Sequence, residues 1–195
     1  MKWLRLMAVA VVLSGAVLLG RDAYLHAKAD LANLLIRRAW QVSLKTGAPQ
    51  RPWRWADTYP VARLRIPRLG YDEFVLEGAT PRTLAFGPAR LLAGARFGEI
   101  GNVAIAGHRT SWFRELEKAA SGDDIELEWF DGKGSLRRRS YRVDAIRIVE
   151  AADLKLTSGN DELTLVTCYP FGARPTSPQR FVVIAEPRPE LARNQ

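Results

Sequence analysis

Three residues suited to acyl-transfer chemistry lie beside strand-like segments in different parts of the chain. Cys168 is the only cysteine and ends the run Thr-Leu-Val-Thr-Cys, His108 follows an apolar run and Gly107, and Arg180 precedes Phe-Val-Val-Ile. A thiol becomes a nucleophilic thiolate beside a base or a cation, and the oxyanion of a tetrahedral intermediate is stabilised by a donor such as arginine. The three residue types therefore indicate a nucleophilic acyl-transfer site, provided that the fold brings them together.

Alternation along the strand indicates where the thiol points. In an extended segment Thr164, Val166 and Cys168 share one face, and Pro170 is expected to stop the strand just after the cysteine. A cysteine in an apolar strand is by itself more often a buried core residue than a catalyst. A second hypothesis therefore stays open: a membrane-anchored, non-catalytic β-barrel that acts as a binding module and contains a buried structural cysteine.

Composition and charge exclude several classes of function. One cysteine cannot form an internal disulfide or a multi-cysteine metal site, and two histidines make a histidine-based metal centre improbable, so we expect no metal and no cofactor. Residues 1–50 contain seven Lys/Arg against two Asp/Glu, which accounts for five of the eight net positive charges. The remaining body is too close to neutral for a nucleic-acid binder, and the basic N-terminal region suits anionic lipid headgroups.

The chain divides into three predicted parts. Lys2 and Arg5 precede an uncharged run over residues 6–20, which predicts a signal-anchor segment over 1–20 with the rest of the chain exported across a membrane; a cleaved signal peptide is the alternative. Residues 21–57 are expected to form a helical stalk and a linker, since Leu31, Leu34, Leu35 and Trp40 recur at helical intervals. Residues 58–195 hold seven or eight short strand patterns with turn residues between them, which is typical of a closed barrel in a mainly β fold.

The motifs resemble those of the sortase family. The Thr-Leu-Val-Thr-Cys run, the Gly-His-Arg after a strand and the Arg-Phe-Val-Val strand occur in sortase order, with 60 residues from His108 to Cys168 and 12 from Cys168 to Arg180. The resemblance covers roughly residues 58–186. The Cys-Tyr-Pro-Phe string and the Trp53-x-Trp55-Ala-Asp string are most similar to the class GN sortases of Gram-negative bacteria.

The resemblance implies an eight-stranded sortase barrel with short helices that acts as a membrane-anchored cysteine transpeptidase. It implies Cys168 as the nucleophile, His108 as the general acid and base, and Arg180 as the cation that positions substrate and oxyanion. Thr167 is implied at the oxyanion site, and Leu154, Leu156 and Tyr169 in the walls of the substrate groove. The implied partners are a substrate protein with a C-terminal sorting signal of the Leu-Pro-x-Thr-Gly type and an amine acceptor.

Other cysteine acyl-transferases fit the residue order less well. A papain-like protease places its cysteine before its histidine. An L,D-transpeptidase needs a histidine near its cysteine, and residues 150–195 contain none.

Overall fold

The computed structural model describes residues 2–131, 133–156, 160–172 and 178–189. Two α-helices and eight β-strands make up the regular structure of these ranges. In chain order they are α1 (Lys2–Thr46), β1 (Pro60–Ile66), β2 (Tyr71–Glu77), α2 (Pro81–Leu84), β3 (Ala89–Arg90), β4 (Asn102–Ala106), β5 (Asp124–Phe130), β6 (Leu136–Glu150), β7 (Glu162–Tyr169) and β8 (Gln179–Pro187).

The eight strands close into a barrel in the order β1-β2-β3-β4-β7-β8-β6-β5. Two neighbouring pairs are parallel, β2 with β3 and β4 with β7, and the other pairs are antiparallel. The prediction of a mainly β, closed eight-stranded barrel is therefore confirmed.

Local sequence accounts for the limits of several elements. β1 alternates buried and half-buried side chains and ends at Pro67, because proline cannot donate to the strand ladder. α2 begins where Pro81 follows Thr80, whose hydroxyl accepts a hydrogen bond from the Thr83 amide at 3.1 Å.

The barrel interior is filled by alternate residues of each strand. Leu64, Ile105, Leu165 and Val183 are fully buried there with Phe113, which comes from the connection after β4. Burial of these apolar side chains is the main stabilising contribution to the barrel.

The second half of α1 packs on the outside of the barrel. Trp40 is only 3% exposed, and its ring lies 5.6 Å from that of Phe74 and 4.5 Å from that of Phe130. The buried face of this helix contains Ile36, Ala39 and Trp40, whereas Leu31 and Leu34 are exposed.

Within the described residues, no helix combines the length and the apolar character that a membrane crossing requires. The predicted anchor over residues 1–20 therefore gains no support from the structure.

Candidate active site

β7 carries Cys168 on the outer face of the barrel wall. Leu163 and Leu165 point into the core, so Thr164, Val166 and Cys168 lie on the opposite face. The strand continues one residue past the cysteine, to Tyr169. Cys168 is partly exposed, so it is less buried than a purely structural core cysteine would be.

β8 places Arg180 directly opposite the cysteine. Cys168 and Arg180 are paired residues of the antiparallel β7–β8 ladder. The Cβ atoms of such a pair are about 5 Å apart and their side chains leave the same face of the sheet. One guanidinium nitrogen of Arg180 donates to the carbonyl of Gln179 at 2.9 Å. The sequence prediction that these two residues share a site thus corresponds to a direct cross-strand pair.

His108 follows the strand on the other side of β7. The parallel ladder pairs Ala106 with Val166, and the Gly107 amide donates to the Val166 carbonyl at 3.1 Å. His108 is two residues beyond Ala106, as Cys168 is two beyond Val166, so this register brings His108 beside Cys168. The imidazole is exposed, as a group that exchanges protons with a substrate must be.

A tight turn fixes the backbone of His108. Its carbonyl accepts hydrogen bonds from the Ser111 amide at 3.3 Å and from the Phe113 amide at 2.9 Å. A Cβ atom at Gly107 would lie 2.8 Å from the Phe113 ring. Gly107 is therefore needed for the space that it leaves to Phe113, and this close packing holds the turn against the core.

Thr167 connects the histidine and cysteine strands. Its hydroxyl donates to the Gly107 carbonyl at 2.7 Å, and the residue is 3% exposed. The hydroxyl proton is thus engaged with the backbone next to His108. This contact supports a role in aligning His108 with Cys168, in addition to the oxyanion role that the family resemblance implies.

Three further residues, Tyr169, Leu154 and Leu156, were predicted to line the substrate groove. Tyr169 alternates to the opposite face from Cys168, and its ring lies 6.3 Å from that of Phe171 and 6.4 Å from that of Phe181. Leu154 and Leu156 are half-buried in the connection after β6. Parts of both predicted groove walls, residues 157–159 and 173–177, lie outside the described residues.

The base of the β6–β7 connection is attached next to Arg180. The Ala151 amide donates to the Pro178 carbonyl at 2.6 Å, and the Gln179 side chain donates to the Glu150 carboxylate at 3.0 Å. These contacts involve residues that sequence reasoning did not single out. Knowing that β6 pairs with β8 would have predicted these contacts. The sequence does not show that pairing, because Glu150 and Gln179 are 29 positions apart and share no local pattern.

All three predicted catalytic residues lie at one end of the barrel, which we call the site end: the end at which β4 and β7 finish and β8 begins. Antiparallel pairing of β8 with β7 and parallel pairing of β4 with β7 produce this arrangement. Thiol, imidazole and guanidinium on three neighbouring strands can supply a nucleophile, a proton carrier and an oxyanion donor.

Comparison with known proteins identifies this arrangement. The family model described as "Sortase domain" matches residues 64–188. Sortase D of Bacillus subtilis is 27% identical over 123 residues, which cover 62% of this chain and 60% of that protein. The chain thus spans about 60% of the length of this curated relative.

Solved structures give the same result for the fold. Sortase C-1 of Actinomyces oris is 26% identical with a TM-score of 0.58, covering 67% of this chain and 73% of that one. A sortase D5 transpeptidase of Clostridium perfringens is 20% identical with a TM-score of 0.64, covering 82% and 99% of the two chains. The likeness to class GN within the family stays a prediction. With the family model matching well over half of its length, the chain belongs to the sortase family.

Proposed function

We propose that this protein is a cysteine transpeptidase that cleaves a C-terminal Leu-Pro-x-Thr-Gly-like sorting motif and transfers the new C-terminus to an amine acceptor. The observation that carries the proposal is the row of His108, Cys168 and Arg180 on three adjacent strands. Membership of the sortase family supports the same reaction class.

In the first half-reaction the Cys168 sulfur attacks the carbonyl carbon of the motif threonine. The Arg180 guanidinium stabilises the oxyanion of the tetrahedral intermediate. Collapse of this intermediate breaks the Thr–Gly amide bond, and the imidazolium of His108 donates its proton to the departing amine. The N-terminal part of the substrate is left as a thioester on Cys168.

In the second half-reaction an incoming amine attacks the thioester carbonyl. Neutral His108 accepts the proton of this amine, and the thiolate leaves as a new amide bond forms. One histidine thus serves both halves with opposite proton roles, and each cycle returns Cys168 and His108 to their starting state.

The proposed location is the bacterial inner membrane, with the barrel on its extracytoplasmic side. Support comes from the sequence alone, since Lys2 and Arg5 precede an uncharged run. Protease protection of the barrel in intact spheroplasts would contradict this orientation.

Mass spectrometry of a trapped intermediate tests the enzymatic proposal. Mixing the protein with a Leu-Pro-x-Thr-Gly peptide library without an amine acceptor is expected to add the mass of the N-terminal fragment to Cys168. Cys168→Ala and His108→Ala should abolish peptide cleavage, and Arg180→Ala should lower kcat by about 10²-fold, as for other lost oxyanion donors.

Arg147→Ala is the matched control for the arginine variant, because Arg147 is exposed on the neighbouring strand β6 and pairs with Val182. It should retain normal turnover. Resistance of Cys168 to alkylation in the folded protein, with no adduct from any peptide, would instead favour the inert-barrel hypothesis.

A further inference from the structure

A cleft of about 330 Å³ opens at the site end of the barrel, between the start of β2 and the turn that follows His108. We call it the acidic cleft; its lining includes Tyr71, Glu73, Ser111, Trp112 and Glu115. β2 starts at Tyr71 and runs antiparallel to β4 through the short strand β3, so its first residues lie at the end where β4 finishes.

The turn that holds His108 also forms one wall of the cleft. Ser111 and Trp112 belong to the turn whose amides donate to the His108 carbonyl. The acidic cleft therefore lies against the chain segment that carries His108.

Within the part of the chain that the structure describes, Glu73 is the carboxylate of this cleft that forms no salt bridge. Asp72 is bound by Arg63 at 2.7 Å, and Glu115 by Lys118 at 2.6 Å. Glu73 is half-buried and has no ion pair or hydrogen bond with the residues that the structure describes. Burial raises the pKa of its carboxyl above the usual range, and the charge of nearby Arg37 acts in the opposite direction.

Tyr71 adds a second group that lacks a partner. The residue is 6% exposed, and its buried hydroxyl has no hydrogen-bond partner in the described part of the chain. Tyr71 and Glu73 are two residues apart on β2 and so lie on the same side of that strand. A buried hydroxyl without a partner is energetically unfavourable, so a polar group that reached it from the cleft would be stabilised.

We propose that the acidic cleft binds a primary ammonium group of the amine acceptor. An ammonium has three donors, which match the Glu73 carboxylate and the lone pairs of the Tyr71 hydroxyl, and the face of Trp112 attracts a cation. The positive charge of the ammonium also offsets the unfavourable burial of the Glu73 carboxylate. A calcium ion fits less well, because it takes six to eight oxygen ligands. This inference rests on the proposed function for the identity of the ligand but not for binding itself.

Direct binding tests the cleft independently of catalysis. Titration of the full chain with pentane-1,5-diamine, followed by calorimetry and by the indole N–H resonances, is expected to show saturable binding that shifts Trp112. Pentane-1,5-diol, which has the same length and no charge, should not bind. Glu73→Gln should weaken diamine binding about tenfold or more, as expected for loss of a charged hydrogen-bond partner.

Glu117→Gln is the matched control, since Glu117 is exposed on the same 3₁₀ turn as Glu115 and lies outside the lining of the cleft. It should bind the diamine like the parent protein. Absence of saturable binding, unchanged affinity in Glu73→Gln, or displacement of the diamine by millimolar calcium would each overturn the proposal.

Product partitioning connects the cleft to transfer. With a cleavable sorting peptide and the diamine, Glu73→Gln is expected to lower the ratio of transfer product to hydrolysis product about tenfold, whereas Glu117→Gln keeps the parent ratio. An unchanged ratio in Glu73→Gln would refute the acceptor role. If the parent protein forms no thioester at all, the proposed function fails while the binding result still decides whether the cleft holds an ammonium.

Discussion

Thr167 shows how a buried hydroxyl contributes to the geometry of a neighbouring catalytic group. Its bond to the Gly107 carbonyl joins the residue before Cys168 to the residue before His108. A displacement of about 1 Å between reacting groups is enough to lower turnover strongly. We therefore predict that Thr167 is a positioning residue for His108.

Thr167→Val should preserve the shape of the side chain and remove this bond. We expect a loss of about 1–2 kcal/mol in the free energy of unfolding, because a buried carbonyl loses its donor, and a decrease of about tenfold in kcat with little change in KM. Urea denaturation and steady-state kinetics measure the two effects.

The control for this variant is Thr164→Val, the same change at an equally buried position on the same strand, three residues further from the site and on its other face. It should leave kcat unaltered. Equal kcat values for Thr167→Val and the parent protein would show that the contact does not align the site.

Sequence reasoning at the residue scale predicted which residues could react but not which contacts hold them. Cys168, His108 and Arg180 could be singled out because their residue types are rare or suited to acyl transfer. The hydrogen bond of Thr167 and the unpartnered state of Glu73 depend on which segments become neighbours in the barrel. No local pattern in the chain carries that information.

At the scale of elements, an ion pair connects two turns at the site end. Arg68, in the 3₁₀ turn between β1 and β2, donates to the Asp123 carboxylate at 2.7 Å and to the Lys118 carbonyl at 2.5 Å. The Ala120 amide donates to the same carboxylate at 2.9 Å. The hydrogen bond from Arg68 is the main reason why the pKa of Asp123 is lowered.

This pair predicts a pH-dependent contribution to stability. A carboxyl whose pKa is lower in the folded state stabilises the protein above the unfolded pKa of about 3.9, and this stabilisation is lost as pH falls through the folded value. Asp123→Asn should therefore reduce the free energy of unfolding at pH 7 by about 1–2 kcal/mol, and the difference from the parent protein should shrink as pH is lowered below about 4.

Urea denaturation at a series of pH values measures this difference. Asp144→Asn serves as the control, because Asp144 is exposed on β6 and its carboxylate forms no ion pair with any residue that the structure describes. A difference between Asp123→Asn and the parent protein that is constant from pH 7 to pH 3 would contradict the role of the charge.

The positions of the strands in the sequence were largely predictable, but which strands pair with one another was not. The patterns at residues 102–106 and 163–168 correspond to β4 and β7, because alternation and flanking turn residues are local properties. β3 was missed, since two residues are too few to show a period.

On the scale of the whole molecule, the packing of α1 joins the N-terminal region to the barrel. Residues 47–59, between α1 and β1, form no helix or strand, so side-chain contacts determine how the helix lies on the sheet. Trp40 is the largest of these contacts, and it packs between rings from β2 and β5.

Trp40→Ala should release the helix from the barrel. Truncation of a buried tryptophan costs about 3–5 kcal/mol, and we expect residues 47–59 to become sensitive to limited proteolysis. Leu34→Ala changes a side chain that is 62% exposed on the same helix and should have no effect. Identical proteolysis of the Trp40→Ala and parent proteins would show that the helix is held by other contacts.

The global arrangement depends on pairings that the sequence does not display. The parallel β4–β7 pair joins segments about 60 residues apart, and it decides that His108 comes to Cys168. A barrel could be predicted from the number of strands, but not the order in which they meet. The sequence pattern also does not show which face of α1 is buried, since Leu31 and Leu34 are exposed while Ile36 and Ala39 are buried.

Ladder register, not connection length, sets the distances among the three catalytic positions. Whatever length of chain joins β6 to β7, or β7 to β8, the pairing of Ala106 with Val166 and of Cys168 with Arg180 stays the same. Grafting a foreign connection between these strands should thus alter which peptides are accepted while the chemical step persists. The paired strands thus hold His108, Cys168 and Arg180 in place, while the connecting segments that would recognise the peptide can be exchanged.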